Sequence, residues 1–296
     1  MAEAPLYFPS AERQRLEPHL PPAQPSSHPR SADPSSPPSH SALPFVTLTF
    51  ATSLDSALAL GPGIRTALSG PQSKAMTHYL RSRHDAICVG VGTAIADDPG
   101  LNSRLASSNG DEGTRDMAGT GKDGGGGDTI TTHQPRPIII DPRLRWDFTS
   151  QSKVMRLARE GRGLAPYIVT LEQEPPRQKS EILEDAGGKF IILTAGHGDQ
   201  GQPGRLDWRD ILSAVRQEGL RSIMIEGGGK IINSLLGQEA DLVDSVIVTI
   251  APTWLGQGGV TVSPPRTRVD MPVARLTDTT WMPLGDDVVL CGKIAL

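Results

Sequence analysis

Glu226 stands directly before Gly227, Gly228 and Gly229 in the stretch SIMIEGGGKIINSLL, residues 222–236. A carboxylate can accept from hydroxyls or handle a proton. Three consecutive glycines suit a backbone that turns sharply or lies close against something, and a phosphate is one such partner. SIMIE reads as a strand and KIINSLL as a helix, so the glycines end a strand and open a helix, at the edge where open α/β sheets bind ligands. N–H groups at a helix start favour an anion. A tight structural turn with close strand–helix packing accounts for the local pattern equally well. The stretch is not a P-loop, because Lys230 is followed by Ile231. It is not G-x-G-x-x-G either, because Asn233 stands where the last glycine is expected. An acid would repel a phosphate beside it, so Glu226 is assigned to a hydroxyl or a protonatable centre next door.

Other polar residues gather near the same edge. Thr93 and Asp97 follow the apolar run AICVGVG, residues 86–92. Arg81 and Arg104 are cations of the kind that hold a sugar phosphate bidentately, with solvated surface charge as the alternative. Asp55, in SLDS after the first apolar run, reads equally as a turn residue or an active-site acceptor. Nothing has metal-ligand spacing: His78 and His84 are six apart, His197 lies in a glycine-rich stretch, and Cys88 and Cys291 are remote from each other. No metal is expected.

These groups need a scaffold. Apolar runs at 45–50, 86–92, 137–141, 167–170, 190–193, 222–226, 245–251 and 288–296 read as strands. Helical spacing of apolar residues marks 70–83, 208–219 and 230–236, with Ser69 and Asp207 as N-caps and Gly219 as a C-terminal stop. Continuous Val/Ile runs separated by helices predict an α/β fold with a mostly parallel central sheet covered by helices on both faces. The last strands have no clear helix between them, so one edge is expected to be antiparallel. Residues 1–43, rich in Pro, Ser and His, read as a disordered tail, and about 106–134, with its run of four glycines, as a flexible insertion. Residues 44–296 are then one domain. A net charge of −4 gives no electrostatic case for nucleic acid or an anionic membrane surface. The chain has no apolar run approaching the ~20 residues of a membrane span and no secretory signal pattern. The expectation is a cytoplasmic protein acting on a small molecule.

Four stretches carry a family resemblance: PFVTLTFATSLD (44–55), the segment from GPGIRT to GTAIADDPGLNSR (61–104), RPIIID (136–141), and IMIEGGGKIINSLL through DSVIVTIAPTWLGQGG (223–259). Together they resemble the reductases of riboflavin biosynthesis. These comprise the stand-alone fungal enzymes acting on 2,5-diamino-6-(ribosylamino)-4(3H)-pyrimidinone 5′-phosphate and the C-terminal half of bacterial deaminase–reductases. The resemblance implies a dihydrofolate-reductase-like fold, a homodimer, and NADPH as hydride donor to the ribosylamino sugar of a phosphorylated pyrimidine. Its cofactor contacts fall on Thr93, Asp97, Gly227, Gly228, Gly229, Lys230, Ile231, Ile232, Asn233 and Ser234. Its substrate contacts fall on Arg81, Leu101, Arg104 and Glu226, and Asp55 joins them as a candidate substrate contact from its own position after the first strand. The chain departs from bacterial relatives at Thr49, where they carry a lysine, and at Ser56, where glycine is frequent. Glu226 is therefore the expected catalytic group. A dihydropterin-type reductase of the same fold is one alternative, against which the two arginines argue. A non-catalytic nucleotide-binding homologue is another, favoured by Thr49 and opposed by Glu226 and Asp97.

Overall fold

The computed structural model describes residues 5–22, 43–106, 133–194, 206–266 and 269–295. Among the described residues the strands are β1 (Phe45–Thr52), β2 (Ala57–Ala59), β3 (Ala86–Gly90), β4 (Arg136–Ile140), β5 (Tyr167–Thr170), β6 (Lys189–Ile192), β7 (Ser222–Gly227), β8 (Ser245–Ile250), β9 (Val260–Thr261), β10 (Arg275–Leu284) and β11 (Asp287–Ala295). The α-helices are α1 (Ser10–Leu16), α2 (Pro71–Ser82), α3 (Val91–Asp97), α4 (Lys153–Arg159), α5 (Arg177–Asp185), α6 (Trp208–Gln217) and α7 (Gly229–Leu235).

Nine strands form one sheet in the order β10-β11-β8-β1-β7-β3-β4-β5-β6. From β8 to β6 every pairing is parallel, and β11 and β10 add antiparallel strands at one edge. Strands buried on both faces need apolar residues at successive positions, which is why they read as Val/Ile runs. On one face Val46, Cys88, Ile138 and Ile225 pack with Ile211, Leu212 and Val215 of α6 and Ile232 and Leu235 of α7. On the other, Met224 and Ile247 pack under α1 and α2, while Ile87, Ile139 and Ile168 pack under α3, α4 and α5.

Local signals held in part. Asp207 caps α6 by accepting from the Arg209 N–H at 2.7 Å, and Gly219 follows that helix at φ +80°. Ser69 does not cap α2; Gly70 holds that position and Pro71 starts the helix. The expectation of a disordered tail over residues 1–43 fails for 5–22. Phe8 and Leu16 are fully buried and Leu20 nearly so, against Ala75, Met76 and Tyr79 of α2. Averaging composition over a Pro/Ser-rich stretch conceals a few well-spaced apolar anchors. Residues 1–4 and 23–42 lie outside the described residues, as do 107–132 of the expected insertion. The two sides of that insertion are tied down: the Ala106 N–H donates to Leu6 O at 2.8 Å, and Gln134 bonds both backbone groups of Ser103 at 2.8 and 3.1 Å.

Candidate active site

Three neighbouring parallel strands, β1, β7 and β3, end on one side of the sheet, and α7 and α3 start there. Between β7 and β3 the register slips: Ile225 faces Cys88, but the next partner of Val89 is Gly227. Glu226 is thus the extra residue of a bulge, a device that re-aims a side chain at a strand end. The re-aimed carboxylate meets Arg81, from the last turn of α2. Arg81 Nε donates to Glu226 Oε1 at 2.8 Å and Nη2 to Oε2 at 2.7 Å, while Nη1 reaches Asn102 O at 3.2 Å. The two side chains are only 14% and 17% exposed, so the fork-to-fork pair is shielded but reachable.

Arg104 meets α2 at His78, one turn before Arg81. Its backbone N–H donates to His78 Nδ1 at 3.1 Å, and its guanidinium Nη2 sits 3.2 Å from His78 Nε2. Because Nδ1 accepts, the neutral ring carries its proton on Nε2, so two donors face each other. Burial, reinforced by the charges of Arg81, Arg104 and Lys74, drives the His78 pKa down to about 2, which keeps the ring neutral. Arg81 is thus tied to Glu226 and the Asn102 carbonyl, and the Arg104 backbone is tied to His78 one turn earlier on α2.

On the other side of Glu226 the glycines are required sterically. Gly227 has φ +110°, and an added Cβ would lie 2.8 Å from Ile232 Cδ1. A Cβ on Gly229 would lie 2.5 Å from Val260 Cγ1, and one on Gly228 3.3 Å from Thr93 Oγ1. The Gly227–Gly228 peptide is cis. The close-packing reading of this turn is thus correct for Gly227 and Gly229, while Gly228 brings bare backbone beside the Thr93 hydroxyl. The first turn of α7 leaves its leading N–H groups without intrahelical partners at the same place.

Asp97 ends α3. Its Oδ1 is buried with no hydrogen-bond partner among the described residues, and burial raises its pKa against the opposing charge of Arg65. A buried acceptor of that kind calls for a donor.

Several expected contacts have other work. Asp55 accepts from Ser53 Oγ, from the Leu255 N–H at 3.1 Å and from the Gly256 N–H at 2.7 Å. The Ser53 hydroxyl, then the Leu255 amide, hold its pKa at about 2. Its turn role is therefore realised. Leu101 adopts φ +53° with its side chain enclosed among α3 and α4 residues, so only its backbone can meet a ligand. Ile232 is buried, Asn233 staples Thr261 O at 3.0 Å and the Ser263 N–H at 2.7 Å, and Ser234 donates to Glu239 at 2.7 Å. Lys230 is exposed and Ile231 packs across Gly90, whose Cβ position lies 3.0 Å from Ile231 Cδ1. Thr49 is buried on β1 opposite Ile247 of β8. Sequence reasoning passed over His78 as a bonding partner, although its position three residues before Arg81 on a helix puts both on one face. Among the described residues no cluster of His, Cys, Asp or Glu could hold a metal, and no helix is long and apolar enough to cross a membrane.

Residues 44–290 match the family described as the RibD C-terminal domain. The chain belongs to that family. It is similar to the 2,5-diamino-6-ribosylamino-4(3H)-pyrimidinone 5′-phosphate reductases of Debaryomyces hansenii, at 40% identity over 85% of this chain and 90% of the relative, and of Candida glabrata, at 38% over 85% and 89%. The solved structure of the Saccharomyces cerevisiae riboflavin biosynthesis reductase Rib7 superposes with a TM-score of 0.67 and 31% identity, covering 97% of this chain and all of that one. Acinetobacter baumannii RibD, at 22% identity and a TM-score of 0.62 over 86% of this chain and 59% of its own, shares the fold, a dihydrofolate-reductase-like arrangement.

Proposed function

We propose that this protein reduces the ribosylamino sugar of 2,5-diamino-6-(ribosylamino)-4(3H)-pyrimidinone 5′-phosphate to the ribitylamino form, with NADPH as the reductant, as a homodimer in the cytoplasm. The observation that carries the reading is the Glu226–Arg81 pair, 2.7 Å at its closest, set at the sheet edge between a glycine turn and a second arginine, Arg104. Family membership and the named fungal relatives support the same substrate.

A nicotinamide nucleotide fits the residues on the α3–α7 side. The unpartnered Asp97 Oδ1 offers an acceptor to a ribose hydroxyl or an amide, and the Thr93 hydroxyl beside Gly228 offers a second polar contact. Lys230 and the backbone from Gly227 to Ser234 complete that side, with the side chains of Ile232, Asn233 and Ser234 acting as its support. When bound, the cofactor supplies the hydride that C1′ of the sugar receives.

The chain's own residues act on the other side. Arg104, and Arg81 alongside Glu226, bind the phosphate and sugar by charge-assisted hydrogen bonds, each worth about 1.5–3 kcal/mol. Ring opening moves the exocyclic nitrogen lone pair into a C1′=N bond as the C1′–O4′ bond breaks, and O4′ then takes a proton. Glu226 is the carboxylate beside this centre, and it orients the sugar hydroxyls and stabilises the cationic carbon–nitrogen bond. Such positioning and electrostatic complementarity supply most of the acceleration in a reaction with little covalent work for the protein. Asp55 and Leu101 contribute by holding the surrounding loops.

The test is to mix the purified protein, NADPH and the enzymatically prepared pyrimidine phosphate and follow the NADPH absorbance. Substrate-dependent loss of the band is expected. A folded protein that binds NADPH yet leaves the band unchanged, with or without the pyrimidine, would refute the reading.

A further inference from the structure

The N-terminal segment touches the substrate side of the site from two directions. Leu6 forms a parallel bridge with Leu105. Its N–H donates to Arg104 O at 2.9 Å, and its carbonyl accepts from the Ala106 N–H at 2.8 Å. Both backbone groups of Arg104 are therefore committed: the carbonyl to Leu6 and the N–H to His78 Nδ1 at 3.1 Å. Two residues on, Phe8 is fully buried against Tyr79, ring centroids 5.4 Å apart, and its carbonyl accepts from Arg13 Nε at 2.8 Å. Glu17 accepts from Tyr79 Oη and from Arg83. Tyr79 neighbours His78 on α2, the helix that also carries Arg81.

We propose that residues 5–22 form a positioning strap for the substrate end of the site, with Leu6 and His78 gripping Arg104 from opposite sides and Phe8, Leu16 and Glu17 seating the helix that bears His78 and Arg81. The strap touches neither α3 nor α7 in any contact described above, so its effect is confined to the pyrimidine phosphate and does not extend to the nicotinamide side. Fixing a cation before the ligand arrives raises affinity by reducing what binding must order, and a displacement near 1 Å can cost about a hundredfold. The inference rests on the function proposed above.

Leu6→Pro removes the N–H that donates to Arg104 O and leaves the Leu6 carbonyl in place; Leu6→Val, which keeps that N–H, is the conservative control. Steady-state KM for the pyrimidine phosphate and the NADPH Kd, read by fluorescence quenching, are compared in wild type and both variants. The expected result for Leu6→Pro is a KM rise on the order of tenfold, an NADPH Kd within about twofold, and near-normal values in Leu6→Val. An unchanged KM, or an equal loss of affinity for both ligands, overturns the proposal. Should Leu6→Pro fail to fold, Phe8→Leu, which thins the packing on Tyr79, is read by the same ratio. Absence of turnover in the wild type would instead refute the underlying function.

Discussion

Replacing Glu226 by glutamine removes one charge and nearly no volume. In the native site both carboxylate oxygens accept from Arg81, at 2.8 and 2.7 Å, and the pair is only 14% and 17% exposed. The amide keeps one acceptor and turns its other end into a donor facing a guanidinium. One charge-assisted hydrogen bond is therefore lost outright and a donor–donor contact is introduced. Hydrogen bonds to charged groups are worth about 1.5–3 kcal/mol, so the folded state should lose about 2 kcal/mol, partly offset by water at the exposed edge. For a domain of this size that is a drop of roughly 4–8 °C in Tm, a loss that leaves the protein folded at assay temperature. The effect on turnover is larger, because in the proposed mechanism the carboxylate stabilises the positive charge developing on the carbon–nitrogen bond: kcat should fall on the order of a hundredfold or more. NADPH affinity, assigned in the proposed function to the α3–α7 side, should stay within about twofold, since the lost contacts are not there. The assay is NADPH oxidation under saturating cofactor, with differential scanning calorimetry and a fluorescence titration on the same preparation. A variant with near-normal kcat would remove Glu226 from the mechanism, and a variant with kcat intact but NADPH affinity collapsed would mean the two sides of the site are reversed.

Arg104→Ala should raise KM for the pyrimidine phosphate by roughly ten- to a hundredfold, the equivalent of one lost charge-assisted bond, and leave the NADPH Kd unchanged; a fall in NADPH affinity instead would reassign the arginine. Gly229→Ala puts a Cβ 2.5 Å from Val260 Cγ1, so it should destabilise by about 1–3 kcal/mol and weaken NADPH in a titration, whereas a silent substitution would show that α7 can shift freely. Stability should fall with pH between about 6.5 and 5. Burial lowers the His78 pKa to about 2 and that of His84 to about 4, from an ordinary imidazole near 6.5, so across that window the unfolded chain takes up protons that the folded one refuses. Two such groups give a slope approaching roughly 2–3 kcal/mol per pH unit at the lower end, and a flat Tm over that range would contradict the buried neutral state of both rings.

The sheet was readable because strands buried on both faces must be apolar without interruption, as in AICVG and SIMIE. The antiparallel edge was half readable. The β11 run VVLC is visibly apolar, but β10, with Thr277, Asp278, Thr279 and Thr280 and mostly exposed, has no second buried face to demand apolar residues. The helices α1, α3, α4 and α5 went unread. Each is nine residues or fewer and lacks the glycine run that marked the equally short α7, and each is held by tertiary burial of residues such as Val91 and Ala94 in α3 and Leu183 in α5. In the site, Glu226 was legible from its place at a strand end before glycines. Its ion pair was not, because Arg81 lies 145 residues away and only the β7 bulge turns the carboxylate toward it. Of the two readings of the glycine turn, close packing is seen at Gly227 and Gly229, while Gly228 lies beside Thr93. Asp55 came out as a turn residue because three donors claim it, two of them from a loop 200 residues on.

The central claim is hydride transfer from NADPH to the sugar carbon C1′ of the pyrimidine phosphate. It is tested most directly by running the reaction with NADPH deuterated at the nicotinamide C4, in separate samples labelled on each face, and locating deuterium in the product by NMR and mass spectrometry. The account predicts one deuterium at C1′ of a ribitylamino product from one of the two labelled samples. Deuterium in the pyrimidine ring, or consumption of NADPH with the ribosyl ring still closed, would contradict it.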